Sequence, residues 1–282
     1  MLLNYSLEHL LRQIPQLFLL FIFFALLHRL INKSFSPKKP ALLMQNTFVN
    51  FCFFVINVFI MLPVATYLSP LIFSDPSLKG STLLTELWAQ LPDILILIAA
   101  LVFGDFIGYW RHRLEHSKVF WPFHLIHHSD TCMTWFSLER IHPFNRLTTY
   151  AIDSLLLTLI GLPFWAIFAN FTFRYFYGLL IHANLPWTYG KLGLIFVSPV
   201  MHRWHHALDK NAINVNFASV FSFYDRLFKT FYSPEHQCSK TGAFNDTPNN
   251  FLSQLGYPFK VFFKYVRKMS STYLFNEPGN TQ

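Results

Sequence analysis

Long apolar runs recur through the first two thirds of the chain, separated by more polar stretches. Pro15 to Leu30 is almost unbroken, Phe48 to Leu68 follows, and Ile94 to Trp110 is a third run, carrying Asp105 near its end. Runs of this length read as membrane-spanning helices, because hydrocarbon leaves each backbone amide to be satisfied within its own segment. A fourth apolar region, Leu147 to Ile181, is too long for one span and is interrupted by Gly161-Leu162-Pro163. It reads as a hairpin of two helices, which returns His182 to the side of the membrane where His112 lies. From Asn184 onward the chain is mostly too polar to span. The pattern predicts an all-α, multi-pass transmembrane protein with a helical cap.

Composition strengthens this picture. Apolar residues are 53% of the chain, charged residues only 13%, and 34 residues are Phe, a balance that points to lipid as solvent. The net charge of +8 does not imply nucleic acid, because the basic residues are scattered beside the apolar spans and not gathered in one element. They do orient the chain. The loop after the first span holds Arg29, Lys33, Lys38 and Lys39, whereas the next holds Asp75, Lys79, Glu86 and Asp93. The first loop and the cap are therefore expected on the cytoplasmic side, of a bacterial inner membrane or the endoplasmic reticulum. The first span, with no cleavage-site pattern after it, reads as a retained anchor. Near the carboxyl end, "PFKVFFKYVRKM" sets Lys260, Lys264, Arg267 and Lys268 at helical spacing among aromatics, which fits a membrane-surface helix or a packed one with a basic outer face. Cys52, Cys132 and Cys238 lack paired spacing and read as plain thiols.

The chemistry lies in the histidines. Ten of the 13 fall between residues 112 and 206: "HRLEH" gives His112 and His116, "HLIHH" gives His124, His127 and His128, and "HRWHH" gives His202, His205 and His206. His142 and His182 stand alone, and His9, His28 and His236 read as structural. Residues three and four apart share a helix face, so each group aims its imidazoles at one point. Trp121-Pro122 and Ser198-Pro199 supply helix starts just before two of the groups. With His182 the groups supply nine imidazoles, too many for one ion and about right for two. Imidazole suits iron, copper and zinc alike. "HRLEH" alone also fits a zinc-hydrolase pattern with Glu115 as base, and a non-enzymatic metal- or haem-binding role stands beside it.

The ordered set of boxes resembles the fatty acid hydroxylase and sterol desaturase superfamily of integral membrane di-iron enzymes. The resemblance runs through "HRLEHSKVFWPFHLIHHSD", "ERIHPFN", "LLIHANLP", "SPVMHRWHH" and "NFASVFSFYDRLFKTF", about residues 95 to 232. It implies an O2-dependent oxidoreductase that hydroxylates or desaturates an unactivated C–H bond of a membrane lipid. It also implies two non-haem irons and electrons from a separate or fused redox partner; no fused haem or iron–sulfur domain is visible in the sequence, so a separate donor, cytochrome b5-, ferredoxin- or rubredoxin-like, is expected. Carried over residue by residue, the ligands are His112, His116, His124, His127, His128, His182, His202, His205 and His206. His142, Glu115, Asp130, Glu139, Asp209 and Asp225 are candidates to orient them from behind. Two departures touch subfamily and substrate: Asn216-Phe217-Ala218 stands where the family often has Asn-Tyr-Gly, and Lys229-Thr230 where it often has Gly-Thr. The expected organisation is an anchor region over 1–92, a catalytic domain over 93–232 containing the hairpin at 147–181, and a tail over 233–282.

Overall fold

The computed structural model describes residues 2–32, 39–75, 82–234, 236–238, 240–244 and 247–275. Lys33, Lys38 and Lys79, used above to orient the chain, lie outside them. Among the described residues the regular structure is helical, apart from two isolated bridges, Phe196 with Phe221 and Ala207 with Thr241.

The first two helices, α1 (Leu2–Asn32) and α2 (Pro40–Phe73), are longer than the apolar runs that predict them. Pro15 in α1 and Pro63 and Pro70 in α2 do not end them, as is common for helices in lipid. Helix α3 (Thr82–Ala89) is short, and α4 (Asp93–Glu115) continues past the third apolar run, so His112 and Glu115 ride on the same rigid rod as the span. The predicted hairpin is present as α6 (Pro143–Leu159) and α7 (Phe164–His182). Its turn needs Gly161, whose φ of 75° is in the left-handed region, and Trp88 of α3 closes the tip by donating Nε1–H to the Ile160 carbonyl at 2.8 Å. Four helices, α1, α2, α4 and α7, are long and apolar enough to cross a membrane. Helix α6 is not among them; it carries Asn145, Asp153, Ser154 and Thr158 on its buried face.

Two glycines set how closely the hairpin approaches α4. A Cβ on Gly104 would collide with the Asn170 amide, and one on Gly108 with the Arg174 guanidinium, so two small residues one turn apart admit two polar ones from α7. Fully buried Asp153 of α6 accepts from Arg111 Nε of α4 at 2.8 Å and from Arg174 Nη1 at 2.9 Å, which locks three helices through one carboxylate.

The remaining helices form the cap. They are α5 (Trp121–His128), α8 (Pro199–His205), α9 (Phe223–Leu227) and α10 (Phe251–Phe275). Ser198 caps α8 as its sequence predicts, its hydroxyl accepting from Met201 N at 3.1 Å. Helix α10 packs Phe251, Leu255 and Tyr257 against Val49, Phe53 and Ile126, while Lys260, Lys264 and Arg267 are exposed. The first turns of the helix are thus packed, while Phe259 and Phe263 are exposed beside the basic side chains.

Candidate metal centre

The eight histidines of the boxes and His182 meet at the ends of α4 and α7, beneath α5 and α8. They divide into two groups. His112, His116, His124, His128 and His205 form one, and His127, His182, His202 and His206 the other; within each, one nitrogen from every ring lies within 4.8 Å of the others. The division does not follow the boxes. Both H-x-x-H-H helices give histidines to both groups, because adjacent residues on a helix point about 100° apart. The groups share a wall, where the His128 ring stacks on His206 with centroids 4.3 Å apart.

Backbone carbonyls orient four of the rings from behind. His112 Nδ1 meets the Phe217 carbonyl at 2.8 Å, His127 Nδ1 that of Arg140 at 3.3 Å, His182 Nδ1 that of Gly178 at 2.7 Å, and His205 Nδ1 that of Val215 at 2.6 Å. A carbonyl only accepts, so in each ring Nδ1 carries the hydrogen and Nε2 presents a lone pair inward. His124 differs, because Glu115 Oε2 lies 3.2 Å from its Nδ1. Glu115 also accepts from Arg111 Nη1 at 2.8 Å. Its two oxygens are thus engaged by His124 and Arg111, which places it behind the His124 ring.

The other residues named from sequence divide less evenly. Asp225 accepts the amides of Phe217 at 2.7 Å and Ala218 at 3.1 Å and so holds the carbonyl that orients His112. Burial pushes its carboxyl up to about 6 against the opposing pull of the Thr230 hydroxyl and those amides. Asp130 ties Asn50, Ser137 and the Cys132 amide together, and Glu139 pairs with Arg146 at 2.8 Å; they brace the turn that carries Arg140 and touch no ligand ring. Asp209 caps the turn at 210–212 through Asn211 N, away from the rings. His142 stands outside both groups, its Nδ1 accepting from Phe144 N and its Nε2 bonded to the Leu255 carbonyl.

The sequence reading assigned no task to Asp105, Asp153, Arg174 or Asn216. Asp105, fully buried, accepts three successive amides, Ser219 and Val220 at 3.1 Å and Phe221 at 2.7 Å, and pins the cap loop to α4. Asn216, in the left-handed region at φ 57°, bonds both Met201 and Tyr232. The signal for the charged three is a carboxylate or guanidinium inside an apolar stretch, where it has to have a partner.

The donor set fits metal ions. His112 Nε2 and His124 Nε2 face each other at 3.0 Å, and His127 Nε2 faces His182 Nε2 at 3.2 Å. Since all four rings carry their hydrogen on Nδ1, each pair brings two lone pairs together with no proton between them, which is unfavourable unless a cation lies there. Nε2 of His116, His128, His205 and His206 is also buried without a hydrogen-bond partner. Burial holds His116, His127, His128, His202 and His206 well below the ordinary histidine value, and His205 at about 3, so these rings are neutral and ready to ligate. A polar cleft of about 200 Å³, lined by Arg113, Ser117, Asn214, Phe217 and Thr230, reaches the His116 ring.

Comparison with known proteins places the same region. The fatty acid hydroxylase family matches residues 97–230. An ornithine lipid hydroxylase of Rhizobium tropici is 33% identical over 60% of this chain and 52% of its own length. An alkylglycerol monooxygenase of Caenorhabditis elegans is 31% identical over 49% and 27%, and a Delta(7)-sterol 5(6)-desaturase of Gibberella zeae is 28% identical over 48% and 37%. The chain thus spans about half or less of the length of these relatives. No solved structure matches it. The segment that matches the fatty acid hydroxylase family, residues 97–230, holds every histidine of the two groups.

Proposed function

We propose that this protein is an O2-dependent oxidoreductase that oxidises a C–H bond of a membrane lipid, by hydroxylation in the first instance, using two iron ions. The observation that carries the reading is the pair of lone-pair-to-lone-pair histidine contacts, one in each group, inside a nest of neutral imidazoles. His112, His116, His124, His128 and His205 would hold one ion, and His127, His182, His202 and His206 the other. When bound, two such irons supply the reduction of O2 and the removal of hydrogen from an unactivated C–H bond. An all-imidazole set adds no negative charge, which keeps the ions electron-poor and suits a strong oxidant.

The chain's own residues do the positioning. Carbonyls of residues 140, 178, 215 and 217 and the Glu115 carboxylate fix ring tautomers, and the apolar packing of α4, α6 and α7 excludes water on the membrane side. Lipid access is supported by an apolar groove of about 490 Å³ on α2, lined by Leu43, Met44, Phe48, Phe51 and Phe136. Its wall, Phe136, lies on the turn at 135–139, just before Arg140, whose carbonyl backs His127. The polar cleft reaches His116, and there the electrons of a separate cytochrome b5-, ferredoxin- or rubredoxin-like donor would arrive. On this reading the cap is cytoplasmic.

The test has two parts. Protein purified from iron-supplied cells is expected to carry two irons per chain, and membranes of cells expressing it are expected to contain a lipid one oxygen heavier than in cells without it. A lipid lighter by two hydrogens would move the assignment to desaturation. Protein that keeps one zinc and no iron, in cells with an unchanged lipid profile, would overturn it.

A further inference from the structure

Among the backing interactions, His124 is set apart. Four ligand rings are held by neutral carbonyls, whereas His124 Nδ1 lies 3.2 Å from a carboxylate. That carboxylate belongs to a chain of charges reaching away from the histidines: Glu115 to Arg111 at 2.8 Å, Arg111 to Asp153 at 2.8 Å, and Asp153 to Arg174 at 2.9 Å. The four side chains are at most 10% exposed, and their formal charges sum to zero. Arg111 lies between two carboxylates. Asp153 takes up part of its charge, and that leaves the negative charge of Glu115 available to His124.

We propose that Asp153 and Glu115 are positioning residues that make the two metal positions chemically unequal, through an electron-rich His124 in the five-histidine group. The inference rests on the two-metal reading above. A carboxylate hydrogen-bonded to the far nitrogen of an imidazole raises the donor strength of the near one, which favours the higher oxidation state of the ion it holds. The four-histidine group has carbonyl backing alone among the bonds described, at His127 and His182. An ion there would be held by weaker donors and would keep the higher potential. Removing the charge of Asp153 leaves Arg111 uncompensated beside Glu115, draws the carboxylate away from His124 and weakens the same ligand from two residues further back.

The experiment compares wild type with Glu115→Gln and Asp153→Asn in two readouts. In zinc titration of the metal-free protein, one of the two sites is expected to weaken tenfold or more in each variant, with the other unchanged. In redox titration of protein loaded with isotope-enriched iron and followed by Mössbauer spectroscopy, one iron is expected to lose at least tenfold in ferric over ferrous preference. That is a rise of about 59 mV for a one-electron couple. Asp153→Glu is expected to restore both. If Asp153→Asn does not accumulate as folded protein, Glu115→Gln carries the test, since it leaves the pairs of Asp153 with both arginines in place. The inference is overturned if both sites shift alike, or if neither shifts in Glu115→Gln. Zinc asymmetry in a protein that takes up no iron would instead refute the oxidase reading and leave the inequality standing, so the two can fail separately.

Discussion

Helices α1 and α4 have nearly the same mean hydropathy, 2.0 and 1.8 over their most apolar windows, and entirely different neighbours. Along α1 the described side chains are nearly all accessible, with Phe18, Leu19 and Leu30 at 62, 65 and 77% exposure and only Ser6 and Phe24 buried. Along α4 a continuous stripe is buried: Ile96, Ala100, Gly104, Asp105, Gly108, Tyr109, His112 and Glu115. The stripe starts apolar, becomes small, and ends polar. The difference shows that hydropathy says a helix enters lipid, whereas the placement of its few polar and small residues says whether it faces lipid or protein.

The comparison is broken most severely at the ligands. His205→Ala removes a ring from the five-histidine group and is expected to abolish turnover and to lower bound iron from two per chain to one or none, by elemental analysis. Next comes acid. The buried rings of the cap are held below the ordinary value of 6.5, so below that pH the unfolded chain binds protons that the folded chain refuses. Stability and metal retention are therefore full above pH 6.5 and fall as pH drops toward the value of about 3 for His205. Each depressed ring contributes up to about 1.4 kcal/mol per pH unit. Thermal unfolding across pH 4 to 8 measures this, and a flat profile would contradict the burial of these rings. At Gly108, a Cβ would displace Arg174 from Asp153, so Gly108→Ala is expected to cost about 3 kcal/mol, while Leu30→Ala in α1 changes stability by less than about 0.5 kcal/mol. Equal effects at these two positions would remove the distinction between the helices. One effect smaller than that at Gly108 is a gain. Lys229 stands at φ 59°, where the family often has glycine, and Lys229→Gly is expected to stabilise the cap by about 1 kcal/mol in denaturant titration.

The spans, the hairpin and the grouping of the histidines on helices were legible because each rests on local signals: apolar length, Gly161 with Pro163, and three- and four-residue spacing. The division of the nine rings into five and four was not legible. It depends on how α5 and α8 are rotated against α4 and α7, and adjacent histidines such as His127 and His128 look identical in sequence yet serve different groups. Asp209 and His142 show the opposite error, since proximity along the chain to a histidine box or its flanking motif says little about where a side chain points once the backbone turns. Asp105 and Asp153 were visible as charges in apolar sequence, but their partners lie on distant elements that no spacing rule connects.

The bonds of Asp105 have a consequence for how the chain is made. Its three amide partners lie 114 to 116 residues further along, beyond the last helix that can cross the membrane. At ordinary translation rates that interval lasts on the order of ten seconds. Throughout it, the Asp105 carboxylate of a nascent α4 lacks the three amide donors of the finished fold. Docking of residues 219–221 on α4 is therefore a late step of folding, and a chain cut short before them is expected to be cleared faster than the full one.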